Sequence, residues 1–478
     1  MNISTISRLS LILFFFSLSI IEVNCSLCTD ISQYGRCSKN SACGCFHMIG
    51  AYNSGICGFL WTSCSNLDLC DSSTNACTKE NHICVHHPRC NTRPVCYPVS
   101  MIDPRICSPI TTTNTTTTTN IIPTITAVTD TTTATTTTTT AQPRKWYLTG
   151  NLGIYVAEHA ASTLIDGTIM TTGGYTNNDV TNSVYLYNVS TKTWNNTNNM
   201  KQSRYEHTAS TLLNGKVLVT GGRRSHGAHD SNILDTAELY DPITKIWSLI
   251  DSMNYKRYSH RETLLTNGKV LITGGDSRFT VSVILNTTEL YNPSIDTWTV
   301  TGSMKSARRN HAACLLKNGK VLVAGGSQTS AELYDPATGQ WTLTGSMKSA
   351  REYHTMSLLP DGQVLVTGGN NKYSLNSAEL YDPVTGNWSY TDSMHYARTK
   401  HTATILQNGN VLVAGGYNTT ATNRVEIYDS LTRKWTTIYE RMNCERYSHT
   451  ASLLPNGKVL VVGGISSENQ FWNCAELY

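Results

Sequence analysis

Short apolar runs alternate with polar, glycine-containing turns from about residue 143 to the end of the chain. Seven four-residue runs, such as Val-Leu-Val-Thr at 217–220, each end directly before a Gly-Gly pair, and these pairs are 43 to 53 residues apart. Valine-rich runs without a charged residue are typical of strands that are buried on both faces. The pattern predicts an all-β array of repeated units.

Aromatic residues and histidines recur in register with these runs. Each Gly-Gly pair follows a histidine by 14 residues, six tyrosines precede a tryptophan by seven, and each of these tryptophans precedes the next histidine by 13 or 14. The seven histidines are His159, His207, His260, His311, His354, His401 and His449. A period of this length with fixed landmarks is typical of propeller blades, so seven blades are predicted.

Each repeat can be divided into four strands. The histidine-led segment is followed by Asn-Gly or Asp-Gly, such as Asn214-Gly215, and then by the apolar run. These dipeptides accept a positive φ, which predicts a two-residue type I′ hairpin turn. An Ala-Glu-Leu-Tyr segment gives the third strand, and an Asp-Pro or Asn-Pro turn leads to the tryptophan strand. We expect the tyrosines, tryptophans and histidines to pack between blades.

These blocks resemble a known repeat. The segment HTMSLLPDGQVLVTGG from His354, with AELYDP from Ala378 and then Trp388, is similar to a Kelch repeat. The resemblance covers residues 143–478 and implies a seven-bladed Kelch-type β-propeller. The last repeat ends at Tyr478 after a third strand, while Trp146 lies 13 residues before His159. The segment at Trp146 is therefore expected to supply the missing fourth strand and close the ring, which removes the free sheet edges.

Three further segments precede the repeats. Residues 1–25 combine Arg8 with a 13-residue apolar run, which predicts a signal peptide; a membrane anchor is the alternative, although the run is short for a span. Residues 26–107 form a cysteine-rich module. Residues 108–142 are dominated by threonine and cannot build a core, so they are predicted to be a disordered, O-glycosylated linker. The mature protein is accordingly expected to be secreted and extracellular.

Cysteine usage agrees with export. Twelve of the 16 cysteines lie between Cys28 and Cys107, an even number that allows six disulfides in a small domain. Metal binding is the alternative there, through clusters such as Cys84, His86, His87 and Cys90. In the last repeat, Cys444 and Cys474 are a candidate disulfide, whereas Cys314 lies in an apolar stretch and is expected to be a buried free thiol.

Net charge and glycosylation sequons further restrict the class of protein to which the chain can belong. A net charge of +4 without a basic run argues against nucleic-acid binding, and no second apolar stretch predicts a membrane span. Six Asn-x-Ser/Thr sites in the mature chain are candidates for N-glycosylation: Asn114, Asn188, Asn195, Asn286, Asn387 and Asn418.

Six repeats carry an arginine three residues before the histidine: Arg204, Arg257, Arg308, Arg351, Arg398 and Arg446. Six third strands carry a glutamate: Glu238, Glu289, Glu332, Glu379, Glu426 and Glu476. The first repeat has Val156 and Tyr185 instead. This joint absence suggests that arginine and glutamate pair within a blade. The alternative, which the Kelch resemblance implies, is that the arginines ring the channel mouth and bind an anionic ligand.

The length of the repeats varies mainly in the loop between strands two and three. This loop is predicted to share a face with the connection from strand four to the next strand one, and variable loops on a rigid scaffold often carry specificity. The residue that directly follows each of these arginines also varies. Where it is a tyrosine or an arginine, it is a candidate ligand contact, as are the six arginines themselves. These following residues are Tyr205, Tyr258, Arg309 and Tyr447.

The sequence favours a binding, recognition or adhesion protein for an extracellular protein or glycan, without cofactor and without enzymatic activity. A copper radical oxidase resembling galactose oxidase is one alternative, because Tyr353-His354 is similar to that family's copper-ligand motif. No cysteine lies between Cys107 and Cys314 for the crosslink that the family uses, and its separate C-terminal domain is not found. A Kelch substrate adaptor or actin binder is the other alternative, which the predicted signal peptide contradicts.

Overall fold

The computed structural model describes residues 145–478 except 178, 226–228 and 280, and the backbone of five short strands nearer the N-terminus. The chain divides into two compact units, Met1–Thr139 and Thr140–Tyr478. The predicted signal peptide, cysteine pairing and linker, and Asn114, lie outside the described residues. The predicted domain boundaries stay a prediction.

The described strands of the first unit form two small antiparallel sheets. A three-stranded sheet has the order β1-β3-β2 and a two-stranded sheet pairs β4 with β5. The strands are β1 Leu27–Thr29, β2 Cys43–His47, β3 Ser54–Phe59, β4 His82–Val85 and β5 Val95–Pro98.

Seven four-stranded antiparallel sheets make up the second unit, as predicted. Blade 1 comprises β7 Ala160–Thr163, β8 Ile169–Thr172, β9 Val184–Asn188 and β10 Thr193–Asn196. Blade 2 comprises β11 Thr208–Thr211, β12 Val217–Thr220, β13 Ala237–Asp241 and β14 Ile246–Ile250. Blade 3 comprises β15 Arg261–Leu264, β16 Val270–Thr273, β17 Thr288–Asn292 and β18 Thr297–Val300. Blade 4 comprises β19 Ala312–Leu315, β20 Val321–Ala324, β21 Ala331–Asp335 and β22 Gln340–Thr344.

The remaining blades repeat this order. Blade 5 comprises β23 Thr355–Leu358, β24 Val364–Thr367, β25 Ala378–Asp382 and β26 Asn387–Tyr390. Blade 6 comprises β27 Thr402–Ile405, β28 Val411–Ala414, β31 Val425–Tyr428 and β32 Trp435–Ile438, with the hairpin β29 Tyr417–Asn418 and β30 Thr420–Ala421 in its loop. Blade 7 comprises β33 Thr450–Leu453, β34 Val459–Val462, β35 Ala475–Leu477 and β6 Tyr147–Leu148. Among the described residues the helical turn is a 3-10 helix at Asp230–Asn232.

The N-terminal segment closes the ring as predicted. Strand β6 pairs antiparallel with β35, so that Leu148 lies opposite Glu476 and Tyr147 opposite Leu477. The buried Trp146 ring packs against Tyr478, with 5.1 Å between centroids. The first strand of every blade contacts the first strands of its neighbours, and β33 contacts β7. The two ends of the propeller are therefore joined within one sheet.

Aromatic side chains pack the blades against each other, again as predicted. In six blades the third-strand tyrosine packs on the tryptophan opposite it, with centroids 5.0 to 5.2 Å apart. Tyr240 and Trp247, for example, belong to a core cluster with Met170 and Val184 of the preceding blade. Burying such rings contributes roughly 1.5–3 kcal/mol per side chain.

The turn between strands one and two differs from the prediction. In blade 2 the last cross-strand bond runs from Leu212 N–H to Lys216 C=O, which leaves a three-residue loop. Gly215 has a φ of 86°, whereas Asn214 has a negative φ and its side chain accepts the Lys216 N–H. This is a type I turn followed by a left-handed glycine, so the type I′ prediction was wrong. The asparagine is there for its side-chain acceptor, not for a positive φ.

Within the described residues, no helical segment has the length and hydropathy of a membrane span.

Candidate functional site

The variable loops gather at one end of the propeller, which we call the loop face. The residue after the arginine bridges to the residue after Gly-Gly, as in Tyr205 with Arg223, Tyr258 with Asp276, and Tyr447 with Ile465. The loops between strands two and three therefore share a face with the connections from strand four to strand one. Strand alternation puts the turns between strands three and four on the opposite face, which we call the turn face.

The six arginines predicted to pair do so, each with the glutamate of its own blade. The guanidinium–carboxylate distances are 2.7 to 2.9 Å, and all twelve side chains are fully buried. Arg204 also donates to the Gly221 and Thr236 carbonyls. Its partner Glu238 accepts the N–H groups of Lys201 and Gln202. Each pair thus fixes the connection between strands four and one to the blade.

This burial places the six predicted arginine contacts away from solvent. Burial lowers the pKa of each arginine, while the paired carboxylate raises it. The guanidinium groups are occupied by carboxylate and backbone carbonyls, so their geometry supports the structural interpretation. Their role as ligand contacts stays a prediction that has not been tested by binding.

Blade 1 replaces the ion pair with apolar packing. Val156 and Tyr185 pack in one cluster with Leu152. Gly153 makes room for the tyrosine, because a Cβ at that position would lie 2.6 Å from the Tyr185 ring. Blade 1 therefore shows that this site accepts a hydrophobic alternative to a buried ion pair.

The other predicted contacts lie on the loop face. Arg309 donates to Asp276 at 2.6 Å and is partly exposed. The Tyr447 ring contacts Tyr417 edge-on, with centroids 5.1 Å apart. Tyr205 and Tyr258 are largely buried. Of the predicted contacts, Arg309 and Tyr447 are thus the ones that a partner could reach directly.

Arg223 organises the buried tyrosines, and sequence reasoning missed this role. Its guanidinium lies over the rings of Tyr205, Tyr258 and Phe279, at 5.0, 5.3 and 4.4 Å from their centroids. It is also 3.9 Å from Glu206. Because Phe279 is 40% exposed, this stack ends in an aromatic surface on the loop face.

Sequence reasoning also missed the seven residues that directly precede the histidines. They share a left-handed φ of 51° to 53°. Each N–H donates to the carbonyl of the equivalent residue in the preceding blade, at 3.0 to 3.2 Å, and the series closes on itself. We call them the axial ring: Glu158, Glu206, Ser259, Asn310, Tyr353, Lys400 and Ser448. Such a φ costs ~1–2 kcal/mol in a residue with a side chain, so the ring is imposed by the tertiary fold.

The axial ring lines a cavity of about 290 Å³ at the mouth of the channel. Each of its two carboxylates has a partner in the ring: Lys400 pairs with Glu158 at 3.2 Å, and Ser259 donates to Glu206 at 3.1 Å. Burial, together with the charge of Glu158, raises the pKa of Glu206 to about 7, although Lys400, Arg223 and the Ser259 hydrogen bond act in the opposite direction. The cavity therefore combines both signs of charge in a confined space.

Below the ring, the seven histidines are buried as predicted. Burial lowers the pKa of His159 to about 4 and that of His401 to about 3, with nearby arginines adding to the effect. Six of them contact a threonine hydroxyl of the preceding blade through Nε2, as His311 contacts Thr273 at 2.9 Å. Neutral histidines therefore join neighbouring blades.

The copper-ligand resemblance places Tyr353 in the axial ring and His354 beneath it. Within the described part of the chain, three histidine, cysteine or carboxylate ligand atoms converge in one place, at Cys444, Cys474 and Glu476. Two of those residues form a disulfide, and none lies beside Tyr353. The free thiol of Cys314 lies in β19 within an inter-blade core cluster. The donor set at Tyr353 does not fit a copper centre.

The structure contains the Cys444–Cys474 disulfide, the pair singled out from the sequence. It links the connection before β33 to the residue before β35, and Cys314 is free and buried as expected. Five candidate sequons have exposed asparagines: Asn188, Asn195, Asn286, Asn387 and Asn418. The Asn286 side chain donates to the Met304 carbonyl at 3.0 Å, so it also has a structural role.

Two family models match the chain. The KLHDC2/KLHL20/DRC7 Kelch-repeats domain matches residues 259–464, and the Attractin/LZTR1 beta-propeller matches residues 128–330. Kelch-like protein 15 of Mus musculus and of Homo sapiens are each 34% identical over 93 residues, which cover 18% of this chain and 14% of the relative. The chain therefore matches only a small part of these relatives' length.

A solved structure is similar over a larger part of the chain. A fungal alcohol oxidase of the AA5 family, in complex with copper, has a TM-score of 0.57 and 18% identity, and the match covers 70% of this chain and 76% of that one. At this identity the likeness shows the fold alone.

Proposed function

We propose, from the premise that this chain is a Kelch-repeat β-propeller protein, that it is a secreted recognition or adhesion protein whose loop face binds a protein or glycan. Kelch propellers bind proteins in general, so a protein partner is the first expectation. We propose no catalytic activity and no cofactor.

The observation that carries the proposal is the chemical contrast between the two faces. The loop face carries partly exposed aromatic and charged side chains on loops of different length, including Phe279, Arg309, Tyr417 and Tyr447. The turn face carries repeated short turns with single exposed aliphatic residues such as Val384. Tyrosine and arginine on a rigid scaffold are typical anchors of protein interfaces.

Export is supported by two features that do not depend on the loop face. The predicted signal peptide directs the chain out of the cytoplasm. The Cys444–Cys474 disulfide lies in the propeller itself, and disulfides persist mainly in oxidising compartments. Expression of the full chain in secretory cells should yield medium-borne protein whose mass falls on treatment with an N-glycosidase; retention in the cytoplasm would contradict the extracellular role.

The binding proposal is tested by screening the secreted full chain on an array of extracellular proteins and on a glycan array. The loop-face variant Tyr417→Ala/Tyr447→Ala is compared with the turn-face variant Val384→Ser/Leu431→Ser, whose side chains are 93% and 90% exposed. Loss of a central tyrosine should weaken binding about 30-fold, because such anchors contribute about 2 kcal/mol.

Binding that only the turn-face variant weakens would contradict the assignment of the loop face. Binding on the glycan array alone would indicate that the partner is a carbohydrate and not a protein. Turnover of alcohols or sugars with bound copper would favour the oxidase instead.

A further inference from the structure

One sector of the channel differs from the others at the first residue of the first strand. Four blades have threonine there and two have alanine, whereas blade 3 has Arg261. The Arg261 side chain lines the same cavity as the axial ring. A single long cation thus enters a channel that is otherwise lined at this level by small residues.

Arg261, which is partly exposed to the cavity, lacks the carboxylate partner that the six fully buried arginines have. The Arg261 side chain makes one hydrogen bond, which a guanidinium nitrogen donates to the His260 carbonyl at 3.1 Å. No carboxylate of the described residues lies within ion-pair distance, and the charges that favour its ionised form are those of Tyr353 and Glu206. An enclosed guanidinium with spare donors is costly unless an anion or water completes its shell.

His354 is the second group without a partner in this sector. Both ring nitrogens are buried and lack a hydrogen bond, although the ring lines the cavity. The cause is the preceding blade, which has Ala312 and Ala324 at the two positions where other blades supply a threonine hydroxyl.

Other cations at the mouth are already neutralised. Lys400 is paired with Glu158, and Arg223 is stacked between rings near Glu206. Blade 4 has the shortest loop between strands two and three, with a spacing of nine residues from Gly325 to Tyr334. The unsatisfied donors and the shortest loop thus belong to neighbouring blades.

We propose that the axial cavity binds a small carboxylate at Arg261. The planar guanidinium matches the two oxygens of a carboxylate, and the imidazole of His354 lines the same cavity. A cavity of about 290 Å³ accepts a small organic acid or one acidic monosaccharide but no larger chain. This site is independent of the partner proposed for the loop face.

The test is calorimetric titration of the full chain with sodium acetate and with sodium glucuronate, against sodium chloride at equal ionic strength. Arg261→Thr introduces the residue that four other blades have, so it is expected to fold, and it should weaken carboxylate binding at least about tenfold. Arg261→Gln keeps hydrogen-bond donors but removes the charge, so it should weaken carboxylate binding as well. Arg424→Thr is the control, because that guanidinium stacks on Tyr396 outside the cavity.

Carboxylate binding that both cavity variants weaken, and the control retains, would support the site. Absence of binding, equal binding of chloride, or full binding by a folded R261T protein would overturn it. If R261T does not fold, R261Q provides the same comparison. Acetate binding without glucuronate binding would restrict the ligand to small organic acids.

Discussion

Replacement of Glu379 by glutamine removes one charge from a fully enclosed ion pair. Arg351 donates to Glu379 at 2.8 Å and to the Gly368 carbonyl at 2.7 Å. Glu379 also accepts the N–H groups of Lys348 and Ser349, at 2.6 and 3.0 Å. Glutamine keeps the shape and one acceptor, but it leaves the Arg351 charge uncompensated in the interior.

Breaking a buried ion pair on one side costs about 3–5 kcal/mol. For a domain of this size, at about 2 °C per kcal/mol, the melting temperature of Glu379→Gln should fall by roughly 6–10 °C. Blade 1 supplies the matched control: K348G/R351V/E379Y transplants Gly153, Val156 and Tyr185 into blade 5. Because this version removes both charges, it should recover at least half of the loss.

Differential scanning calorimetry of the secreted full chain, with circular dichroism as a second probe, measures both variants. A melting temperature for E379Q within about 1 °C of the parent would refute the structural role of the pair. A transplant that melts below E379Q would refute the reasoning that the uncompensated charge causes the loss.

Three further predictions concern closure, the disulfide and pH. Trp146→Ala should cost about 3–5 kcal/mol and speed proteolysis of the propeller, because the buried ring joins the two chain ends; exposed Tyr147→Ala is the control, and equal proteolysis rates would contradict this. Cys444→Ser/Cys474→Ser should cost about 3–4 kcal/mol, since the bridge closes a 30-residue loop, and reductant should then have no further effect on the melting of the propeller. Burial raises the pKa of Glu206 and of Glu262 to about 7 in the folded protein. Their contribution to stability is therefore present below pH 4.5 and is lost as the pH rises through 7. E206Q/E262Q should accordingly gain melting temperature relative to the parent between pH 5 and 8, while exposed Glu468→Gln should not; a constant difference across this range would contradict the pKa shifts.

The blade count, the ring closure and the arginine–glutamate pairs could be predicted because each depends on residues that recur at fixed spacing. The axial ring could not, because Glu158, Tyr353 and Lys400 do not favour a left-handed φ and only the closed ring imposes it. The unpartnered state of His354 depends on the absence of hydroxyls at Ala312 and Ala324 in another blade. The fixed position directly before each histidine was the signal that could have revealed the ring.

In the axial ring, the main chain maintains the shape of the channel mouth, whereas the side chains determine its chemical character. Its seven hydrogen bonds join only main-chain atoms and point the same way around the axis, so the aperture keeps its diameter whatever side chains project from it. A lysine, a tyrosine and two glutamates already share that geometry with two serines and an asparagine. The side chains that line the channel mouth can consequently be exchanged one blade at a time. Substitutions at these seven positions can change which ligands enter the channel without altering the propeller around it.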